Sequence, residues 1–313
     1  MTQPLALLVA GPTASGKSAL ALALAERFGG TIINADSMQL YRELRLLTAR
    51  PTPEEEARVP HRLYGVRPAA AAASAAWWRE QALAAMAAAR FPILCGGTGL
   101  YFAALRQGLA AIPPVPGWAR EEARSLLAAE GPAALHARLD AETAATLRPS
   151  DSQRIARAYE VWRGTRRGLV AWQEVAPNAP PAPYRFAAIL LDPPREALRA
   201  AIIRRFDAML AGGAIEEVRA LVALGLDPAL PAMRAHGVPE LAAYLTGGMS
   251  LEAARERAVL NTGQYTKRQA TWFRHHPLAD TQDTHIIHAR IGGLAQFPER
   301  EIEKIFAFVE GRR

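Results

Sequence analysis

The sequence predicts an α/β fold, a mostly parallel sheet flanked by helices with a helical domain inserted into it. Three observations carry that reading. Short apolar runs at Leu5–Ala10 (LALLVA), Thr31–Asn34 (TIIN), Pro92–Cys95 (PILC) and within Tyr184–Asp192 (YRFAAILLD) have the unbroken hydrophobicity of buried strands. The first three are followed by small or polar residues, GPTASGKS, ADSMQLYR and GGTG, at the edge where open α/β sheets bind ligands. Proline-rich breaks at Pro113–Gly117 and Pro177–Pro183 bracket a charged helical stretch reaching about Gly164.

Taken in order, LALLVA is a strand, GPTASGKS a tight turn and SALALALAERF a helix, the opening of a mononucleotide-binding unit. Pro68–Ala89, rich in alanine with Trp77, Trp78, Leu83 and Met86, reads as a helix covering the sheet, its tryptophans in the core. Helices are expected at about Arg195–Gly212, Ala214–Leu224 and Leu251–Arg274. The expected organisation is a core from residues 1–112 and 183–313 with an inserted helical domain at 113–182.

Of 313 residues, 50% are hydrophobic and 21% charged, which excludes a disordered tail or a disulfide knot. The single cysteine, Cys95, fits a reducing compartment, no apolar run reaches the roughly 18 residues that span a bilayer, and no basic leader precedes LALLVA. A cytoplasmic location is expected. A net charge of +7 favours a polyanionic partner. Almost all positive charge is written as arginine, so the retained Lys17 and Lys267 hint at sites needing a compact point charge.

Gly11–Ser18 matches G-x-x-x-x-G-K-[ST], the phosphate-binding P-loop, with a strand before it and a helix after it. Backbone amides of Gly11, Pro12, Thr13, Ala14, Ser15 and Gly16 surround a phosphate in such a loop, apart from proline, which has no N–H. Lys17 adds charge, and Ser18 can hold Mg²⁺. Hydrolytic motors add an acid at the end of a buried strand, but PILC ends in Gly96, Gly97 and Thr98, and ILLD offers only Asp192 before two prolines. Asp36, beyond the second strand, is the best-placed acid for taking a proton from an acceptor. The alternative is that it caps a helical turn at Ser37–Tyr41 or binds the metal.

Gly96–Gly99 can bring donors to the same anion, with the Thr98 hydroxyl added. Arg154 and Arg157, followed by Arg163, Arg166 and Arg167, make a helix able to track a nucleic acid backbone or simply a solvated face. Asn261–His276 interleaves Lys267, Arg268 and Arg274 with Tyr265, Trp272 and Phe273, which suits RNA but also a core stripe. His275, His276, His285 and His288 lack the cysteine or paired carboxylates that complete a metal site.

GPTASGKS, NADSMQLYR, GGTGLY, RPSDSQRIARAYEV, PAMRAHG and QYTKRQATWFR, in this order between Gly11 and Arg274, together resemble the tRNA dimethylallyltransferases, also called tRNA isopentenyltransferases. The resemblance implies a prenyltransferase with a P-loop NTPase-like core and an inserted helical domain that contacts tRNA. It would move a dimethylallyl group from dimethylallyl pyrophosphate to the N6 amine of the adenosine 3′-adjacent to the anticodon, releasing pyrophosphate. It also implies a Mg²⁺ requirement, a channel for a flipped adenine, the tRNA anticodon stem-loop as partner, and a monomer.

Residue by residue, the resemblance makes Asp36 the general base, with Thr13 and Lys17 as pyrophosphate donors and Ser18 as the metal hydroxyl. Gly97 and Thr98 match a second pyrophosphate-contacting turn, and Arg205 matches an arginine gripping the leaving group. Asp36, Ser37, Met38 and Gln39 match positions around the target base, and Gln153, Arg154, Arg157, Lys267, Arg268 and Gln269 match positions facing the tRNA. Leu47, Arg50, Ala201, Val238 and Gly263 depart from the pattern; Leu47 stands where glycine is usual and Gly263 where arginine is frequent.

Two other readings fit the loop. One is a kinase acting on a nucleoside or small metabolite, with Mg·ATP in the loop, Asp36 as base and the helical domain as lid. The other is a non-catalytic RNA-binding module that uses a nucleotide only for folding.

Overall fold

The structure, a computed structural model, describes residues 3–110, 112–175, 179–293 and 297–313. Pro177 and Asn178 of the second proline-rich break lie outside the described residues. The chain divides into two compact units, one comprising residues up to Arg106 with Ala182–Arg313, the other Gln107–Pro181. The smaller unit starts a few residues before the expected 113, because the Leu109 N–H donates to the Ala179 carbonyl and ties its two legs together.

In the larger unit the strands are β1 (Leu5–Ala10), β2 (Thr31–Asn34), β3 (His61–Arg62), β4 (Pro92–Gly96), β5 (Arg185–Leu191) and β6 (Thr284–Ile287). They form one sheet in the order β3-β2-β4-β1-β5-β6, every pair parallel. The register sets Ala10 opposite Gly96 and Asn34 opposite Cys95, so the turns that follow β1, β2 and β4 emerge side by side. The expectation of four strands falls short by β3 and β6: β3 is only two residues long, and β6 is a half-buried edge without a continuous apolar run.

Side chains alternate across the sheet as strand geometry requires. Leu7, Val9, Ile93 and Ile189 pack with Leu20 and Leu24 of α1 (Lys17–Phe28). Ala6, Leu8, Leu94 and Ala188 face Trp78, Met86 and Phe102 on the other side. The short α2 (Pro53–Arg58) starts with a Thr52–Glu55 capping box. Next, α3 (Ala75–Ala87) starts only at Ala75, where the Ser74 hydroxyl accepts the Trp77 N–H, so the helix is shorter than the expected Pro68–Ala89. Trp78 is buried and stacks on Tyr101 of α4 (Gly99–Arg106) at 4.1 Å, whereas Trp77 is only half-buried beneath the Arg67 guanidinium.

In the smaller unit, α5 (Gly117–His136) kinks at Gly131 and Pro132, and α6 (Ala141–Thr146), α7 (Ser152–Thr165) and α8 (Leu169–Gln173) follow. Ala123, Leu135, Ile155 and Tyr159 form its core. The chain returns to the larger unit for α9 (Arg195–Ala211), α10 (Ala214–Val222), α11 (Val238–Leu245), α12 (Leu251–His275) and α13 (Glu299–Glu310). Helices α9 to α12 build a further core from Phe206, Val218, Leu221, Leu241 and Ala258, against which Tyr41, Leu44 and Leu47 pack.

Candidate active site

The loop after β1 needs glycine at Gly16. Its φ of +97° is costly for other residues, and a Cβ there would stand 1.9 Å from the Ile291 carbonyl oxygen. That close approach lets Ile291 N–H donate to Ser15 O at 3.0 Å, while Arg290 Nε donates to Ala14 O at 3.0 Å. On the other side, Thr13 N–H donates to Gln269 Oε1 at 2.8 Å. Gln269 Nε2 in turn donates to the Gly97 carbonyl at 2.9 Å, so one buried side chain joins the two glycine turns. Gln269 was expected at the tRNA; its amide is occupied by protein backbone at both ends.

Asn34, fully buried at the end of β2, fixes the segment that carries Asp36. Its Oδ1 accepts the Asp36 N–H at 2.8 Å, and its Nδ2 donates to the Asp36 and Leu63 carbonyls. One Asp36 oxygen, Oδ1, accepts the Met38 N–H at 3.0 Å and opens a single 3₁₀ turn over Met38–Leu40. The helix-capping alternative for Asp36 is therefore real for one oxygen, and it holds the carboxylate in place. Thr98 N–H donates to Ala35 O, and the Thr98 hydroxyl accepts the Ser37 N–H at 2.9 Å while lying 3.3 Å from Ser37 Oγ. The turns after β2 and β4 are thus locked together. Gln39 Nε2 donates to the carbonyls of Thr48 and Ala49, bracing the loop opposite.

Thr13, Asp36 and Arg205 line one cavity, into which Thr48, His236, Thr262 and Tyr265 also project, with Met38, Leu47, Ile202, Phe206 and Met209 supplying apolar surface. Its electrostatics are those of a site short of negative charge. Burial lowers the pKa of Lys17, opposed chiefly by the Asp36 charge and reinforced by Arg205. Burial likewise lowers that of Arg205, with Asp36 opposing and Arg290 adding to the shift. Two desolvated cations beside one carboxylate favour an anionic guest. The Cys95 thiol is pushed up to about 11, mainly by burial, and stays neutral. Asp192, the other acid considered, is bound by Arg274 at 3.1 Å.

Several of these groups escape a reading of the sequence alone. Arg290 lies after β6 and reaches the first loop only through tertiary structure. His236 sits against the Tyr265 ring, their centroids 4.8 Å apart, and burial lowers its pKa, so its neutral form is favoured. Tyr265, which helical spacing also allows as a core aromatic, lines the cavity instead; its phenol is driven upward by burial. Membership of PAMRAHG and QYTKRQATWFR is the signal in the sequence that could have found both. Lys267 and Arg268 are exposed on α12, with Arg268 over the Tyr265 ring.

In the smaller unit, Gln153, Arg154 and Arg157 are exposed along one stretch of α7. Arg163, counted with them in the basic helix, turns inward: its Nε and Nη2 grip Glu122, which also accepts the Tyr159 hydroxyl.

The donor set can be tested for Mg²⁺. Among the described residues no group of three or more His, Cys, Asp or Glu is arranged to hold a metal. Ser18 is an exposed residue at the start of α1 whose hydroxyl hydrogen-bonds the Cys95 thiol, and the buried Ser15 hydroxyl has no hydrogen-bond partner. Such an oxygen-poor set suits Mg²⁺ held chiefly by substrate phosphates and water. No helix among the described residues is long and apolar enough to cross a membrane.

Known proteins share the sequence and the fold of this chain. The family model for IPP transferase matches residues 39–276, and that for isopentenyl transferase matches residues 5–67. A tRNA dimethylallyltransferase of Acidiphilium cryptum is 60% identical over 306 residues, covering 97% of this chain and 94% of its own length. One of Granulibacter bethesdensis is 60% identical over 319 residues, covering 99% of each. Among solved structures, the tRNA isopentenylpyrophosphate transferase of Bacillus halodurans matches with a TM-score of 0.69 at 30% identity, over 99% of this chain and 96% of that one. A eukaryotic dimethylallyltransferase acting on tRNA shares the fold, with a TM-score of 0.79 at 23% identity over 97% of this chain and 78% of that one.

Proposed function

The chain belongs to the IPP transferase family of tRNA dimethylallyltransferases, and from that premise we propose how its cavity moves a dimethylallyl group from dimethylallyl pyrophosphate to the N6 amine of the adenosine 3′-adjacent to the anticodon. The observation that carries the proposal is the shared cavity: Thr13 of the first loop, the Asp36 carboxylate and Arg205 line the same space. Leaving group and acceptor can meet there across one carbon atom.

The allyl C1–O bond breaks and its electron pair leaves on the pyrophosphate, while N6 forms a bond to C1. Charge builds on the leaving oxygens, and Lys17 and Arg205 are the groups that stabilise it, with Thr13 of the first loop lining the same cavity. Thr98, held by Ser37, sits on the second turn beside them. Gly11–Ser18 is used as a P-loop holding pyrophosphate instead of a nucleotide. The Ser18 hydroxyl is the protein group that would hold Mg²⁺, which would supply further neutralisation of the leaving group.

Asp36, fixed through Oδ1 by Met38, offers Oδ2 to the N6 amine, orients it, and takes the proton that becomes acidic as the N–C bond forms. The base must leave the anticodon stack at a cost of a few kcal/mol. Exposed Lys267 and Arg268, and Gln153, Arg154 and Arg157 of the helical unit, are the groups we assign to the tRNA backbone that offsets this cost.

Incubation with Mg²⁺, dimethylallyl pyrophosphate and unmodified tRNA, followed by digestion to nucleosides and mass analysis, tests the reading. Adenosine heavier by one five-carbon unit is expected. ATP turnover without tRNA and no modified base would favour the kinase instead.

A further inference from the structure

A carboxylate accepts from any exocyclic amine, so Asp36 alone does not tell adenine from cytosine. Most other polar side chains on the cavity lining are already engaged by protein. The Thr48 hydroxyl donates to Leu44 O at 2.6 Å, and the Thr262 hydroxyl donates to Ala258 O at 2.7 Å. The Tyr265 hydroxyl meets Thr98 and Gln269. Thr13 and Arg205 belong to the pyrophosphate end. His236 differs from all of these. Its ring lies 4.8 Å from the Tyr265 ring, centroid to centroid, and neither imidazole nitrogen has a hydrogen-bond partner among the described residues.

The imidazole is also held in place. Val238 N–H donates to Ala235 O at 2.9 Å and closes a turn around His236. Gly237 N–H donates to the buried Glu240 carboxylate at 3.1 Å, whose other oxygen accepts from Asn261 Nδ2 of α12 at 2.6 Å. Away from the cavity, His236 borders a depression lined by Arg234, Asn261 and Arg268. Arg268 is one of the groups assigned above to the tRNA backbone, so the imidazole stands between that basic side and the cavity that holds Asp36. Burial favours its neutral form, which carries one N–H donor and one acceptor.

The pair formed by the N6 donor and the neighbouring N7 acceptor belongs to adenine alone: guanine has an acceptor in place of the amine, and cytosine has no nitrogen at the place of N7. We propose that His236 is the specificity-determining residue for the acceptor base, its N–H donating to N7 of the flipped adenine while Asp36 accepts from N6. This inference rests on the transferase reading above. His236 takes no part in breaking the C1–O bond or in receiving the proton, so its removal acts on recognition of the acceptor and leaves the donor untouched.

The test uses synthetic anticodon stem-loops with adenosine, 7-deazaadenosine or 1-deazaadenosine at the target position, and wild type, His236→Phe and His236→Gln. With adenosine, kcat/KM for the RNA is expected to fall about tenfold in His236→Phe, and less in His236→Gln, which keeps a donor. 7-Deazaadenosine should cost wild type a similar factor and cost His236→Phe nothing further, since both changes delete one contact. The KM for dimethylallyl pyrophosphate and the melting temperature should stay at wild-type values. A folded His236→Phe protein that still loses the full factor with 7-deazaadenosine overturns the proposal, and so does coupling to 1-deazaadenosine instead. Should the phenylalanine variant not fold, wild type that accepts 7-deazaadenosine as well as adenosine overturns it. Wild type that transfers no five-carbon unit to the adenosine stem-loop overturns the transferase reading instead, which separates the two failures.

Discussion

Gln269 and Thr13 are joined by a 2.8 Å hydrogen bond across 256 residues of sequence, and the same Gln269 amide donates to Gly97 O at 2.9 Å. The spacing between the two glycine turns is therefore set by one side chain from α12. Gln269→Leu would leave a backbone donor and a backbone acceptor without partners, each costing about 1–3 kcal/mol when buried. A lower urea midpoint and a raised KM for the pyrophosphate donor are expected. Unchanged values of both would mean the turns hold each other without it.

Asp36→Asn separates the two tasks of that residue. The amide oxygen can still accept the Met38 N–H, now 3.0 Å from Oδ1, so the local turn should survive. The proton acceptor is lost, and turnover should drop by about 10²-fold or more. Filter binding should show nearly unchanged affinity for tRNA. Wild-type turnover would remove Asp36 from its role as base.

The central strands were legible because LALLVA and PILC are buried on both faces and so carry no alternation to misread. Asp36 was legible for a related reason: a charged residue just past a buried strand stands at the binding edge of the sheet. His61–Arg62 was not, since β3 is two residues whose pairing with Ile32 and Ile33 is a backbone matter. The role of Arg290 and the bonds of Gln269 to the two glycine turns were not foreseen because their partners, Thr13 and Ala14, lie hundreds of residues away. The inward turn of Arg163 depends on Glu122 across a helix pair, which helical spacing alone does not reveal. Arg205 came only from the family resemblance, and its place in the cavity follows from how α9 packs.

The lowered pKa of Lys17 gives pyrophosphate binding a pH dependence of definite sign. Burial is the main cause, with Asp36 pulling the other way, and the ordinary value is 10.5. Between the lowered value and 10.5 the unfolded chain binds the proton that the native protein has released, so this group makes unliganded stability rise with pH there. A bound pyrophosphate restores the charged form. Binding should therefore take up a proton above the lowered pKa, and affinity should fall as pH climbs through it. Calorimetry in buffers of different ionisation enthalpy measures that uptake. Lys17→Met should weaken binding and flatten the dependence; wild type with no pH dependence up to 10.5 would contradict it.

Two glycines on different elements should respond oppositely to alanine. At Gly16 the added Cβ would meet Ile291 O at 1.9 Å in a conformation with φ +97°, so Gly16→Ala must push the first loop away from the segment that clamps it. Loss of donor use and a lowered melting temperature are expected, the backbone strain alone being on the order of 1–3 kcal/mol. At Gly263, within α12, nothing lies within 4 Å of the position an alanine methyl would take, and the helix gains a better former. Gly263→Ala should raise stability by about 0.5–1 kcal/mol with donor kinetics unchanged. Thermal melts of the two variants beside wild type decide the matter: a destabilised Gly263→Ala would mean that α12 needs local flexibility at that point, where the family more often carries an arginine.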